Sequence, residues 1–231
     1  MLVYPSSIDL SSHTLRYLAG QLTSRRQEIG TRWRRLTPGR QALLALAHLR
    51  CGDTYAQLAA GFGIGIATVF RCIREAVDVL AALASSLDEA MKAIRMKAFV
   101  ILDGTPLPIS RIAADPFGRL PRVSPALPGS THDLTAARGH GIVDALAEAG
   151  VKCRAGKAYQ GAVRPVRVPF RGRRPKRWQR RHNSSHAKIR CLGEQAMATL
   201  KGRRLLRKLR CSTNRTTDIV KAVPVLHHAS T

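Results

Sequence analysis

Ala98-Phe99-Val100-Ile101-Leu102 is an unbroken apolar run, and three of its members are β-branched or aromatic. A short run of this kind, closed by turn-forming residues, predicts a buried strand. It ends in Asp103-Gly104-Thr105, so a carboxylate stands at the strand exit and Gly104 lets backbone or ligand approach closely. From the residues alone Asp103 is either a turn residue that stops the strand or a site acid.

Charge narrows the partner. The 231 residues hold 39 Lys and Arg against 14 Asp and Glu, a net charge of +25. Such a field selects a polyanion, with nucleic acid as the default. A membrane surface fits less well, because the cations are not laid opposite one broad apolar face. The apolar fraction of 45% allows a core of ordinary size, as one domain or two small ones. The five cysteines (Cys51, Cys72, Cys153, Cys191, Cys211) are odd in number and contain no CxxC pair, which argues against a disulfide framework or a structural zinc. No apolar leader or membrane-length apolar run occurs, so the expected location is the cytoplasm, associated with the nucleoid.

The N-terminal half reads as helices. Ser11 or Ser12 opens a pattern with Leu15, Leu18 and Leu22, and Thr37-Pro38 opens another that Gly52 closes. Asp53 or Thr54 caps Tyr55–Ala60, Gly61-Phe62-Gly63-Ile64-Gly65 breaks it, and Ile66–Arg74 resumes. A small residue at Ala59, a glycine at Gly63 and apolar Ile64, Val69 and Ile73 match a helix-turn-helix, and equally an ordinary helical hairpin. In the first case Ile66, Ala67, Thr68, Phe70, Arg71 and Arg74 belong to the recognition helix, where arginines meet guanine edges or phosphates. Ala76 to Met91 reads as a continuing helix that connects the two halves.

In the second half, Asp115-Pro116-Phe117-Gly118 reads as a turn between strands. Gly129-Ser130-Thr131-His132-Asp133 precedes a helix from Leu134 to Ala149, with Asp133 first of all a helix N-terminal acid. Val151–Ala155 reads as a short strand. From Arg164 to Arg181 cations dominate and Pro165, Pro169 and Pro175 interrupt any helix, so the expectation is an exposed, mobile basic loop. Its Arg173, Arg174, Lys176 and Arg177 serve phosphates or mere solubility, and Trp178 is able to stack on a base. Ser184 or Ser185 then starts a helix with Ile189, Leu192, Ala196 and Leu200 on one stripe and Arg190, Glu194 and Lys201 on the next. Glu194 and Asp218 are the only acids after Val151, which makes Glu194 either a local charge partner or a metal ligand. A basic amphipathic segment, Gly202–Arg210, and a packing helix at Val220–Leu226 complete the chain.

The Asp-Gly-Thr strand end, the Gly-Ser-Thr-His-Asp run and the Arg190, Glu194, Lys201 spacing together resemble DDE-type bacterial insertion-sequence transposases, above all the insertion-sequence-five family. The resemblance implies an α/β chain: an N-terminal segment (1–30), a helix-turn-helix domain (31–95) and a ribonuclease-H-like mixed-sheet domain (96–231) with the basic loop 164–181. It implies a DNA transposase that binds terminal inverted repeats and target DNA, acts as a homo-oligomer on DNA, and cuts and joins strands with two Mg²⁺ or Mn²⁺ ions. Asp103 and Glu194 would be metal-binding catalytic acids, with Arg190 and Lys201 steadying Glu194 and touching phosphates. The family's second acid, at the exit of the strand 151–155, is replaced here by Gly156, and Asp133 is the candidate substitute. Only Pro106–Ala114 joins Thr105 to Asp115, too little for the family's second strand with its turns, so the sheet is expected to lack that inner strand and the copy to be degenerate, internally deleted and truncated. The alternative is a catalytically inactive DNA-binding protein derived from a transposase.

Overall fold

A computed structural model describes residues 11–31, 34–104, 111–114, 122–128, 130–201 and 211–229, with helix but not side-chain detail at 195–201. The chain divides into two compact units, Met1–Ala84 with Arg203–Arg210 and Asp218–Thr231, and Ser85–Gly202 with Cys211–Thr217. Its class is α/β, a helical N-terminal region followed by a small mixed sheet clad in helices.

The first unit is set by local capping. α1 (Ser12–Ile29) starts where the Ser11 hydroxyl accepts from the His13 N–H. α2 (Pro38–Cys51) starts at Thr37, with proline in the first helical position. At α3 (Tyr55–Phe62) Thr54 and Gln57 cap each other reciprocally, which satisfies two N–H groups that a helix start leaves unpaired. Gly63 ends α3 at φ 64, where a side chain would be strained, and α4 (Ile66–Ala82) follows after two residues. Leu18, Leu22, Leu44, Leu58, Val69, Ile73, Val77 and Leu80 form the buried centre, each contributing roughly 1.5–3 kcal/mol through burial.

Buried Gln41 ties three of these helices. Its Nε2 donates to Glu75 Oε2 at 2.9 Å and to the Cys72 carbonyl at 3.2 Å, while its Oε1 accepts from Arg26 Nη2 at 2.7 Å. Glu75 also pairs with Arg34 at 3.1 Å. Gln41 and Glu75 find partners within the network, which offsets their desolvation, whereas Arg26 Nε is buried without a hydrogen bond among the described residues.

The expected connector helix is two helices. Ser86 and Glu89 form a capping box that starts α5 (Leu87–Ile94), because a serine hydroxyl here satisfies the free N–H groups better than continuation would. Likewise Leu134–Ala149 breaks at His140-Gly141 into α6 (Asp133–Gly139) and α7 (Ile142–Ala149). α9 (Thr213–His228) is longer than the expected Val220–Leu226 and buries Ile219, Val220, Val223 and Leu226.

The sheet runs in the order β3-β2-β1-β4-β5. β1 (Val100–Gly104) is central, antiparallel to β2 (Arg111–Ala114) and parallel to β4 (Cys153–Ala155). β3 (Arg122–Val123) flanks β2 antiparallel, and β5 (Val166–Arg167) flanks β4 in parallel. This is the mixed sheet that the ribonuclease-H resemblance implies. α6 and α7 supply the crossover that a parallel β1–β4 pair needs.

The second strand is therefore not missing. Leu102 pairs with Ala113 and Asp103 with Ile112, so β1 has neighbours on both sides. The short connection accommodates β2 because the strand is only four residues, and both prolines precede it, where they remove no donor from the ladder. The Asp-Pro-Phe-Gly turn and the basic segment 202–210 lie outside the described residues.

The basic stretch 164–181 is likewise not one loop. Val166 is buried in β5, and α8 (Arg177–Lys201) begins two turns before Ser184. Pro175 sits outside the first turn, where it interrupts nothing, and the Lys176 N–H donates to Gln179 Oε1 at 2.8 Å to start the helix.

β1 side chains alternate between two faces. Val100 and Leu102 join a cluster with Ile94, Val143, Leu146 and Tyr159, under α5 to α7. Ile101 faces α8, where Gly193 permits close approach: a Cβ on Gly193 would lie 2.8 Å from Ile101 Cγ2. Asp103, two residues on, emerges on that same face.

Candidate functional site

On α4, Ile66, Ala67, Phe70, Arg71 and Arg74 are all exposed, while Val69 and Ile73 between them are buried. Thr68 is half-buried at the helix start. The Phe70 ring is braced by Tyr55 of α3, with centroids 6.0 Å apart in an edge-on arrangement. Arg74 lies 3.9 Å from Asp78 across a solvated face, a pair worth little in water. Arg71 forms no ion pair among the described residues. A two-helix frame thus holds outward one helix face on which apolar Ile66, Ala67 and Phe70 lie beside cationic Arg71 and Arg74.

The second constellation lies where β1 and β4 end beneath α8. Arg190 Nη2 is 3.5 Å from Asp103 Oδ1 and 3.5 Å from Glu194 Oε1, so one guanidinium spans both acids. Gly156 adjoins them. A Cβ there would lie 3.6 Å from Arg190 Nη2 and 3.9 Å from Asp103 Oδ1, ordinary contact distances. Asp103 and Arg190 are largely covered, whereas the Glu194 side chain is 63% exposed.

A model for the DDE superfamily endonuclease matches residues 109–228, more than half of the chain, and one for the helix-turn-helix of DDE superfamily endonuclease matches residues 34–86. No curated protein and no solved structure was found to match. The chain belongs to the DDE superfamily endonucleases. Its helix-turn-helix and endonuclease domains imply DNA binding.

DDE superfamily endonucleases typically use divalent metals. The residues of this member do not fit a metal pair. Asp103 and Glu194 both face the Arg190 cation, Gly156 offers no side-chain oxygen, and no group of three His, Cys, Asp or Glu side chains suited to a metal occurs among the described residues. Magnesium needs oxygen ligands near 2.1 Å in octahedral array, and a guanidinium between the two acids competes for the same lone pairs. Asp133 is the first residue of α6, the helix-terminal place expected from its neighbours, and belongs to no such metal-capable group.

The remaining expected phosphate-binding residues divide. Arg173, Arg174, Lys176 and Arg177 are exposed at and before the start of α8, and Arg190 turns inward to the acids. Lys201 ends α8, with its side chain outside the described residues.

Two residues of this DDE endonuclease escaped sequence reasoning. Gly193 carried a signal, since glycine inside a helix costs about 1 kcal/mol relative to alanine and so calls for a packing reason. His186 carried only its spacing, one turn before Arg190 and two before Glu194. It is buried, and its Nε2 donates to the Ala155 carbonyl at 2.9 Å, which pins α8 over the strand that ends at Gly156. Burial, with smaller contributions from Arg154, His182 and Arg190, holds the imidazole pKa below its ordinary value, against the bond to Ala155, which raises it.

A pH dependence follows from that shift. The unfolded chain binds the His186 proton more readily than the folded one, so stability rises with pH between the lowered folded pKa and the ordinary value near 6.5, and is fully present above it. Stability should therefore fall as pH drops below about 6.5. His186→Gln, whose Nε2 reaches the same carbonyl but does not titrate, should flatten that part of the profile. Identical urea midpoints against pH for both proteins would show that His186 is not the group responsible.

Proposed function

We propose that this chain is a transposase of the insertion-sequence-five type in build. It binds the inverted repeats at element ends through α4 of the helix-turn-helix region (31–95), and its ribonuclease-H-like region (96–231) no longer cuts. One observation carries the second half of this reading: Arg190 spans Asp103 and Glu194 beside Gly156, so a fixed cation stands where catalysis would need exchangeable metal. The acids then serve as anchors for α8, and the exposed Arg173, Arg174, Lys176 and Arg177 at and before its start hold DNA backbone. Two ends brought together require at least two copies, so the working form is a homo-oligomer on DNA. Asp133 is assigned to the start of α6 rather than to chemistry.

The test uses supercoiled plasmid carrying a site selected from random duplex by the protein itself. With Mg²⁺ or Mn²⁺ the chain should bind the site and produce no nicked circles. Metal-dependent nicking that Asp103→Ala abolishes would overturn the inactive reading, and loss of the same nicking in Asp133→Ala would identify the replacement acid.

A further inference from the structure

Outside both constellations, one row of rings runs from the surface into the second unit. Buried His186, fixed to the Ala155 carbonyl, stacks on His182 at 6.0 Å with ring planes 24° apart. His182 meets Phe170 at 5.0 Å, and Phe170 meets Trp178 at 4.8 Å with planes 80° apart. The main chain of Phe170 is latched to α8 from both sides: its N–H donates to Asn183 Oδ1 at 2.8 Å, and its carbonyl accepts from Asn183 Nδ2 at 3.1 Å. Trp178 at the outer end is thus held in place yet 56% exposed.

Every charged residue in the flanking sequence is a cation. Arg171, Arg173, Arg174, Lys176, Arg177, Arg180 and Arg181 are exposed, and no acid occurs in the sequence between Glu148 and Glu194. None of these seven forms an ion pair among the described residues. An exposed indole in a dense cation field lacks a core role, since the cluster that buries β1 does not include it. Its chemistry matches a ligand that presents a flat π-face and phosphates together. Intact duplex hides its base faces in the stack, whereas unpaired nucleotides expose them.

We propose that Trp178, braced by Phe170 within this cation-rich stretch of chain, is a stacking site for unpaired nucleotides of DNA, a single strand or a splayed end. Aromatic stacking tolerates any base, so the site should show little sequence preference. It goes beyond the duplex-binding face on α4, and neither Arg71 nor Asp103 takes part.

The full chain is titrated with a twelve-nucleotide oligothymidylate while indole emission is read. The other indole is Trp33, so the difference from Trp178→Phe isolates the Trp178 signal. The expected result is quenching of Trp178 emission, roughly ten-fold weaker binding in Trp178→Ala, and near-parental binding in Trp178→Phe. Blunt duplex should not quench and should bind Trp178→Ala as it binds the parent, which also reports that the variant is folded. Arg71→Ala with Arg74→Ala should leave the quench intact, so failure on α4 and failure here are distinguishable. Unaltered affinity in Trp178→Ala, equal quenching by duplex or by heparin, or tighter binding of oligouridylate than of oligothymidylate would each overturn the proposal.

Discussion

Arg71→Ala combined with Arg74→Ala lowers affinity for a selected duplex site by at least about thirty-fold. Removing one specific side chain–base interaction costs roughly 1–3 kcal/mol, and 1.4 kcal/mol is a factor of ten. The side chains project from the exposed face of α4, and Val69 and Ile73 hold that helix to the rest of the frame, so truncation should not disturb folding. The 3.9 Å approach of Asp78 to Arg74 subtracts little, because both groups are solvated. Sequence preference should relax along with affinity. Arg173→Ala with Arg174→Ala should behave differently, weakening all duplexes evenly and reducing the salt slope by about one for every phosphate released. Fluorescence anisotropy on selected and scrambled sites, at two salt concentrations, measures both. If selected-site binding is indifferent to the α4 pair, the recognition-helix assignment is wrong.

Gly193→Val destabilises the sheet unit by about 3 kcal/mol, and Gly193→Ala by less. Two effects oppose each other in the alanine case. Helix propensity favours alanine over glycine by about 1 kcal/mol. Against that, the new Cβ would stand 2.8 Å from Ile101 Cγ2, closer than such atoms tolerate, and overpacking of this kind costs about 1–3 kcal/mol. Ile101 is completely buried and has nowhere to retreat, so the clash wins. Lifting α8 would also draw Arg190 and Glu194 away from Asp103. Ile101→Leu removes Cγ2 and should restore much of the stability in the double variant while costing under about 1.5 kcal/mol alone. Urea unfolding together with hydrogen exchange at Val100–Leu102 reads the result. Parental stability in both Gly193 variants would mean that α8 does not rest directly on β1.

The helix start at Thr37, the start at Asp53 or Thr54 and the break over Gly61–Gly65 were readable from the chain because capping bonds join residues within three or four positions, although α3 runs two residues past the expected Ala60 to Phe62. The strand at Val100–Leu102 was readable for a related reason, since a run with no polar residue must be buried whichever neighbours cover it. Missed start signals were local too: Ser86 with Glu89, and Gln179 under Lys176, each a short-range bond overlooked in favour of a longer pattern. β2 was not legible from the length of its segment, because its pairing with β1 uses only four residues.

Long-range placement was another matter. Spacing put Arg190 next to Glu194 on one helix face, but only the fold brought Asp103, 87 residues away, to the same guanidinium. His186 owes its partner to β4, which brings the Ala155 carbonyl from 31 residues away. Gly193 meets Ile101, 92 positions earlier in the chain, whose side chain fills the space a Cβ would take. Local hydrogen bonds and apolar runs are written in consecutive residues, so this sequence determined where elements begin, end and bury themselves. Which charges share one pocket depends on sheet order and on how closely a helix approaches a strand, quantities set by packing between distant segments, and these only the tertiary structure decided.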